Sequence, residues 1–308
     1  MLDRNTFLTT LYVMSDDFCK IHLKPRICSG AVASLTVSEV ITLGIYQQHW
    51  RFRSERNFYD YADKNLRGYF PNLPDRSQYN RLFRQHWRST VAFWQSLVDC
   101  TQAQRGVFEA LDSVPAPVRN IKRAGEGWFA GMANIGWSTR LGWYEGFHVL
   151  VSANSVGFIT GFAFGAASEK DQPLADTFLC LRRFPHDALP TVGRHTAAYY
   201  FTDNGFEGRA NFWHWQQDYE ATVISAPPRS QKETWPASWR KWFSGLRQII
   251  ETVYDKLLNW FGLGKDRPHE LSGFHARLTA KVALHNFMIY LNLQLGRPAL
   301  AFADLLNL

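Results

Sequence analysis

Cysteine is scarce: the 308 residues hold four, Cys19, Cys28, Cys100 and Cys180, with no C-x-x-C pair among them. That spacing excludes a disulfide framework and a zinc ribbon, and reads as reduced thiols. Long apolar runs are missing too. None approaches the roughly 18 residues of a membrane span, and Asp3 and Arg4 do not begin a secretory signal. No glycine loop of the Walker or dinucleotide type is present, so no nucleotide cofactor is expected. Ser113 lacks a nucleophile-elbow pattern, and His148, His275 and His285 lack ligand spacing and read as core or surface histidines. Internal repeats and low-complexity tracts are absent. The expectation is a soluble, cytoplasmic chain.

What is present is apolar and basic. Hydrophobic residues make up 46% and aromatic ones 15%, enough for a sizeable core in one large domain or two ordinary ones. A net charge of +7 and a pI near 9.3 fit a polyanionic partner, although mild basicity alone is weak evidence.

Residues 1–104 read as a helical domain. Thr36-Val37-Ser38-Glu39 is a capping box opening a helix over Val40–His49. Asp75 or Ser77 caps a helix running through Tyr79, Leu82, Phe83, Trp87, Val91 and Phe93, with Arg81 and Arg84 at exposed positions. Those arginines are candidate phosphate contacts, or else a solvated charged face. From residue 105 to 308 the texture becomes strand-like. A strand over Val107–Leu111 ends at Asp112 before the Pro115-Ala116-Pro117 break, and a polar loop carries Arg119, Lys122 and Arg123. A hairpin over 143–166, a helix at Asp171, a strand ending at Asp203, a helix, and a strand at Ala221–Ser225 follow. A helix from Ala237 to Phe261 and a last one over Leu271–Leu295 complete the chain. This order suits an α/β (α+β) fold with an RNase H-like mixed sheet behind the helical domain.

Three carboxylates stand out: Asp112 and Asp203 at strand ends, and Glu251 off the apolar stripe of a long helix. Such a set can hold two divalent cations for phosphoryl transfer. Each has a plain reading: a turn aspartate after a strand, the start of an Asp-Asn-Gly turn, and half of an Arg247–Glu251 helix pair. Asp171 could support the site or cap its helix. The spacing of Trp239 and Trp242 places both in the core.

Short motifs in order carry a family resemblance. They are Leu35–Glu39, Phe70-Pro71-Asn72-Leu73 with Tyr79-Asn80-Arg81, Leu111-Asp112-Ser113, Gly146-Phe147-His148, Thr202–Phe206 and Arg247–Val253. With them the chain resembles the DDE transposases of prokaryotic insertion sequences, most of all the family numbered nine-eighty-two, close to the family-four type. The resemblance implies Asp112, Asp203 and Glu251 as catalytic and metal-holding residues. It also implies Mg²⁺ (with Mn²⁺ as a substitute), in two ions, driving cleavage at inverted-repeat ends and strand transfer into target DNA. Arg247 carries over as a phosphate contact, while Ser244 and Leu258 stand where the wider signature has Tyr and Lys. Double-stranded DNA is the implied partner, with a homodimer on it and a nucleoid-associated location. The alternatives are a nuclease that cuts without joining and a silent DNA-binding relic.

Overall fold

Capping chemistry sets the first helices. In the computed structural model, which describes residues 2–23, 33–49, 52, 54–101, 106–121, 129–194, 197–227, 235–303 and 305–307, Asp3 accepts from the N–H groups of Asn5 and Thr6. Glu39 accepts from the Thr36 N–H at 2.7 Å while the Thr36 hydroxyl accepts from the Glu39 N–H at 3.2 Å, the capping box legible in the sequence. In chain order the elements are β1 (Leu2–Asp3), α1 (Arg4–His22), α2 (Val37–His49), α3 (Glu55–Asn65), α4 (Arg76–Gln85), α5 (Trp87–Cys100), β2 (Phe108–Arg119), β3 (Asn134–Ser138) and β4 (Gly142–Asn154). Then come β5 (Ile159–Ala166), α6 (Asp171–Arg183), β6 (Tyr199–Thr202), α7 (Arg209–Tyr219), β7 (Thr222–Ser225), α8 (Ala237–Asp255), α9 (Leu271–Gln294) and β8 (Leu306–Asn307). The fold is mixed α/β. No described helix is long and apolar enough to cross a membrane.

The chain forms two compact units, Met1–Leu97 with Asn259–Leu308, and Val98–Leu258. Residues 259–308, grouped by their position in the sequence with the strand-rich part, pack instead with the N-terminal helices. In that first unit α9 is the centre, buried on nearly every side, and α2 and α4 pack against it. Its Lys281 is buried yet satisfied: Nζ donates to Gln48 Oε1 at 2.8 Å and the Phe261 carbonyl at 2.6 Å, and pairs with Asp266 at 3.1 Å. The continuous helix expected from Tyr79 to Phe93 is instead two, divided at His86.

The second unit is a sheet in the order β3-β4-β2-β6-β7, with β5 also on β4. Side chains alternate across it. Leu111, Leu150, Tyr200 and Val223 meet Phe178 and Leu179 of α6 and Trp215 of α7. On the opposite face Phe201 meets Phe243 of α8 at 5.3 Å. Two expectations need correction. β2 does not stop at Asp112: it runs through Pro115 and Pro117, paired with His148 and Gly146 of β4. The prolines are two apart, so both nitrogens face one edge, and β6 leaves that edge vacant beyond Ala110. The expected loop after Arg119 contains strand β3, which extends the β4 hairpin.

At the base of the β2–β6 pair lies a buried ion pair. Arg182 donates to Glu109 at 2.9 Å and to Thr160 Oγ1 at 3.0 Å, stacks on Phe178, and shares Glu109 with the Ser152 hydroxyl. Removing one partner strands a buried charge, a loss of about 3–5 kcal/mol. Glu109→Gln is therefore expected to lower the denaturant midpoint sharply, and Arg183→Gln, whose partner Glu220 is exposed, to leave it nearly unmoved.

Candidate active site

Register brings the two strand aspartates together. β6 runs parallel to β2 with Ala110 opposite Phe201. Two residues further on, Asp112 comes level with Asp203, just past the end of β6. Alternation sends Asp112 to the α8 face and Ser113 to the α6 face. Arg247 of α8 accordingly reaches to 3.9 Å from Asp112 Oδ2, and the Ser113 hydroxyl donates to Asp171 Oδ1 of α6 at 2.5 Å. Asp112 Oδ1 accepts the Ser113 N–H at 2.8 Å, and Asp203 Oδ1 accepts the Gly205 N–H at 2.8 Å, the turn foreseen in Asp-Asn-Gly.

Burial first, then the Asp203 carboxylate, pushes Asp112 up to about 7, against the pull of the Ser113 N–H and Arg247. The buried Tyr254 hydroxyl, whose proton has no acceptor among the described residues, is held well above its usual value by burial and then by Asp112, Asp171 and Asp203, against the pull of the Val151 N–H. A Cβ on Gly205 would come within 2.7 Å of Asp171 Oδ2 and 3.0 Å of Asp203 Oδ1, so glycine keeps open a gap bordered by two carboxylates. All-oxygen donors with charges that repel each other fit a hard divalent cation. Among the described residues no three His, Cys, Asp or Glu side chains close on one point by themselves. Mg²⁺ sites of few carboxylates are usually completed by water and substrate phosphate.

The other expected residues are more dispersed. Glu251 is exposed on α8, one turn beyond Arg247. Arg119 pairs with Glu145 at 3.2 Å, Arg84 with Glu270 at 2.9 Å, and Arg81 with Gln78 of its own helix. Lys122 and Arg123 lie outside the described residues. Asp171 is the first residue of α6, and its carboxylate turns to Ser113 while Lys170 occupies the cap position. His148 is half-buried: its Nδ1 meets the Glu169 carbonyl at 3.0 Å and its Nε2 lies 3.6 Å from Asp171. Trp239 and Trp242, expected in the core, are 61% and 60% exposed, because α8 turns Phe243, Ile250 and Val253 inward instead. Neither His148 nor Asp171 had a spacing signal, since strand register and a chain crossing bring them together.

The first unit has a cavity of its own, about 670 Å³ in volume. Its two acids, Glu55 and Asp266, are taken by Arg277 and Lys281, leaving Arg56, Arg76, Lys265 and Arg267 in excess around the opening.

A carboxyl raised to about 7 weakens folding as pH climbs from about 4 to 7, and the full cost remains above 7. Asp112→Asn should therefore raise the melting temperature of the metal-free protein by several degrees at pH 8, for a gain on the order of 3–4 kcal/mol. At pH 4 the two proteins should melt together, and divalent metal should narrow the gap at pH 8.

No curated protein is similar enough to this chain to count as a match. The family model of the transposase DDE domain matches residues 110–287, a span that includes Asp112, Asp171, Asp203 and Glu251. Since that is more than half of the chain, the protein belongs to the transposase DDE domain family.

Proposed function

We propose that the protein is a DNA transposase of a prokaryotic insertion sequence, of the family numbered nine-eighty-two or near it. It would cut DNA at the element's inverted-repeat ends and join the freed 3′ ends to target DNA. The observation that carries the reading is the Asp112–Asp203 pair, level at the end of a parallel strand pair with Arg247 beside it. Asp112 and Asp203, with Glu251 from α8, would hold Mg²⁺. The ion supplies positive charge at the scissile phosphate. Arg247 would steady a phosphate oxygen next to Asp112, and the buried Tyr254 would donate a hydrogen bond. Because Asp112 is poised near neutrality, it loses its proton readily when a cation arrives. A homodimer on the paired ends is part of the same reading.

DNA bearing the flanking inverted repeats, incubated with the protein and Mg²⁺, should be cut at the repeat tips and spared in EDTA. Asp203→Asn should cut at least ~10³-fold more slowly while still binding. Binding without cleavage in any divalent metal would leave a DNA-binding relic, and cutting without joined products a nuclease.

The first unit's cationic cavity suits backbone phosphates better than Arg84, which Glu270 already engages. The triple change Arg56→Gln, Arg76→Gln, Lys265→Gln should flatten the log–log salt dependence of DNA binding by about 2–3 units. An unchanged slope would remove this cavity from the interface.

A further inference from the structure

Asp171 is the carboxylate of the site that the expected triad leaves without a role. It belongs to α6, on the far side of the sheet from α8, yet it comes to the same strand ends as Asp112 and Asp203. Three contacts fix it there. The Ser113 hydroxyl donates to Oδ1 at 2.5 Å. Oδ2 is the atom that a Cβ on Gly205 would meet first, at 2.7 Å, and Asp203 Oδ1 the next, at 3.0 Å. His148 lies behind it. Since the Glu169 carbonyl can only accept, His148 Nδ1 carries the proton of that 3.0 Å contact. His148 Nε2 lies 3.6 Å from Asp171 Oδ1, too far for a hydrogen bond. Ser113 is thus the hydrogen-bond donor to Oδ1, and Oδ2 faces Gly205.

A helix N-cap would be an ordinary use for an aspartate at this position, but the carboxylate does not serve it. Acidic side chains gathered without a cation are costly, and a separate observation points to what belongs among them. Tyr254 is 8% exposed, the Val151 N–H faces its hydroxyl oxygen while the hydroxyl proton finds no acceptor among the described residues, and it feels the charge of Asp112, Asp171 and Asp203 together. A buried hydroxyl proton without an acceptor, in the field of three carboxylates, calls for water or an ion's hydration shell.

The geometry points to Asp171 as a metal-holding residue, contributing Oδ2 beside Asp203 to a divalent cation, with Ser113 as its positioning residue. This rests on the transposase reading for the presence of the cation. It adds a ligand from the sheet side that needs no DNA and no contribution from α8.

The test is Mn²⁺ titration of the DNA-free full chain by calorimetry at pH 8, with thermal melts of each variant. Asp171→Asn is expected to weaken Mn²⁺ binding at least ~10-fold while melting within a few degrees of the parent, and Ser113→Ala to weaken it less. Gly205→Ala leaves every carboxylate in place but pushes Asp171 and Asp203 aside, so it should weaken binding too. It stands in should Asp171→Asn fail to fold. Parental affinity in Asp171→Asn, with binding lost in Asp203→Asn, would overturn the assignment and leave the transposase reading intact. Parental affinity in Gly205→Ala would also overturn it, as would a parent chain that takes up no Mn²⁺ without DNA. Parental affinity in both Asp112→Asn and Asp203→Asn would sink the underlying reading itself.

Discussion

Two half-buried carboxylates of like charge, held level by strand register, are the constraint on which the second unit turns. The β2–β6 pairing ends at Ala110 and Phe201, and the next side chain of each strand on that face is an aspartate. Folding has to bring these charges together before any cation arrives. What opposes them locally is small: one N–H to each carboxylate, and Arg247 at 3.9 Å. Much of the surrounding structure compensates. The Glu109–Arg182 pair and the apolar layer of α6 and α7 brace the strands from beneath, so the strain is confined to their ends.

Sheet alternation then divides the chemistry between two layers. Asp112 and Asp203 face α8, whose Arg247 and Tyr254 supply a positive charge and a neutral hydroxyl. Ser113, next in sequence to Asp112, faces α6 and there meets Asp171. One dipeptide thus serves both sides of the sheet, which strand geometry allows and a helix would not. The gap at Gly205 is where the two sides meet.

The first unit is built on a different principle. Its central helix α9 carries no polar face, and the one charge buried along it, Lys281, is neutralised by Asp266 and capped by Gln48 and a carbonyl. With Glu55 and Asp266 spent on Arg277 and Lys281, the remaining cations around the cavity are uncompensated among the described residues. A net charge of +7 over the chain thereby acquires a location.

The sequence by itself determined the local features: the capping box at Thr36 and Glu39, the Asp203 turn, the hairpin of β4 and β5, and the helical positions of Arg247 and Glu251. Each depends on contacts within a few residues, which spacing and residue type encode directly. Tertiary structure decided the rest. Pro115 and Pro117 look like a break until a vacant sheet edge accommodates them, so the strand through Asp112 is longer than its composition suggests. Trp239 and Trp242 follow the apolar period of α8 yet remain exposed, because which side of a helix finds a partner is settled by packing. His148 and Asp171 stand 23 positions apart and meet only through register and the placement of α6. The raised carboxyl of Asp112 is of the same kind: burial and a neighbouring charge are properties of position in space, and no residue carries them along the chain.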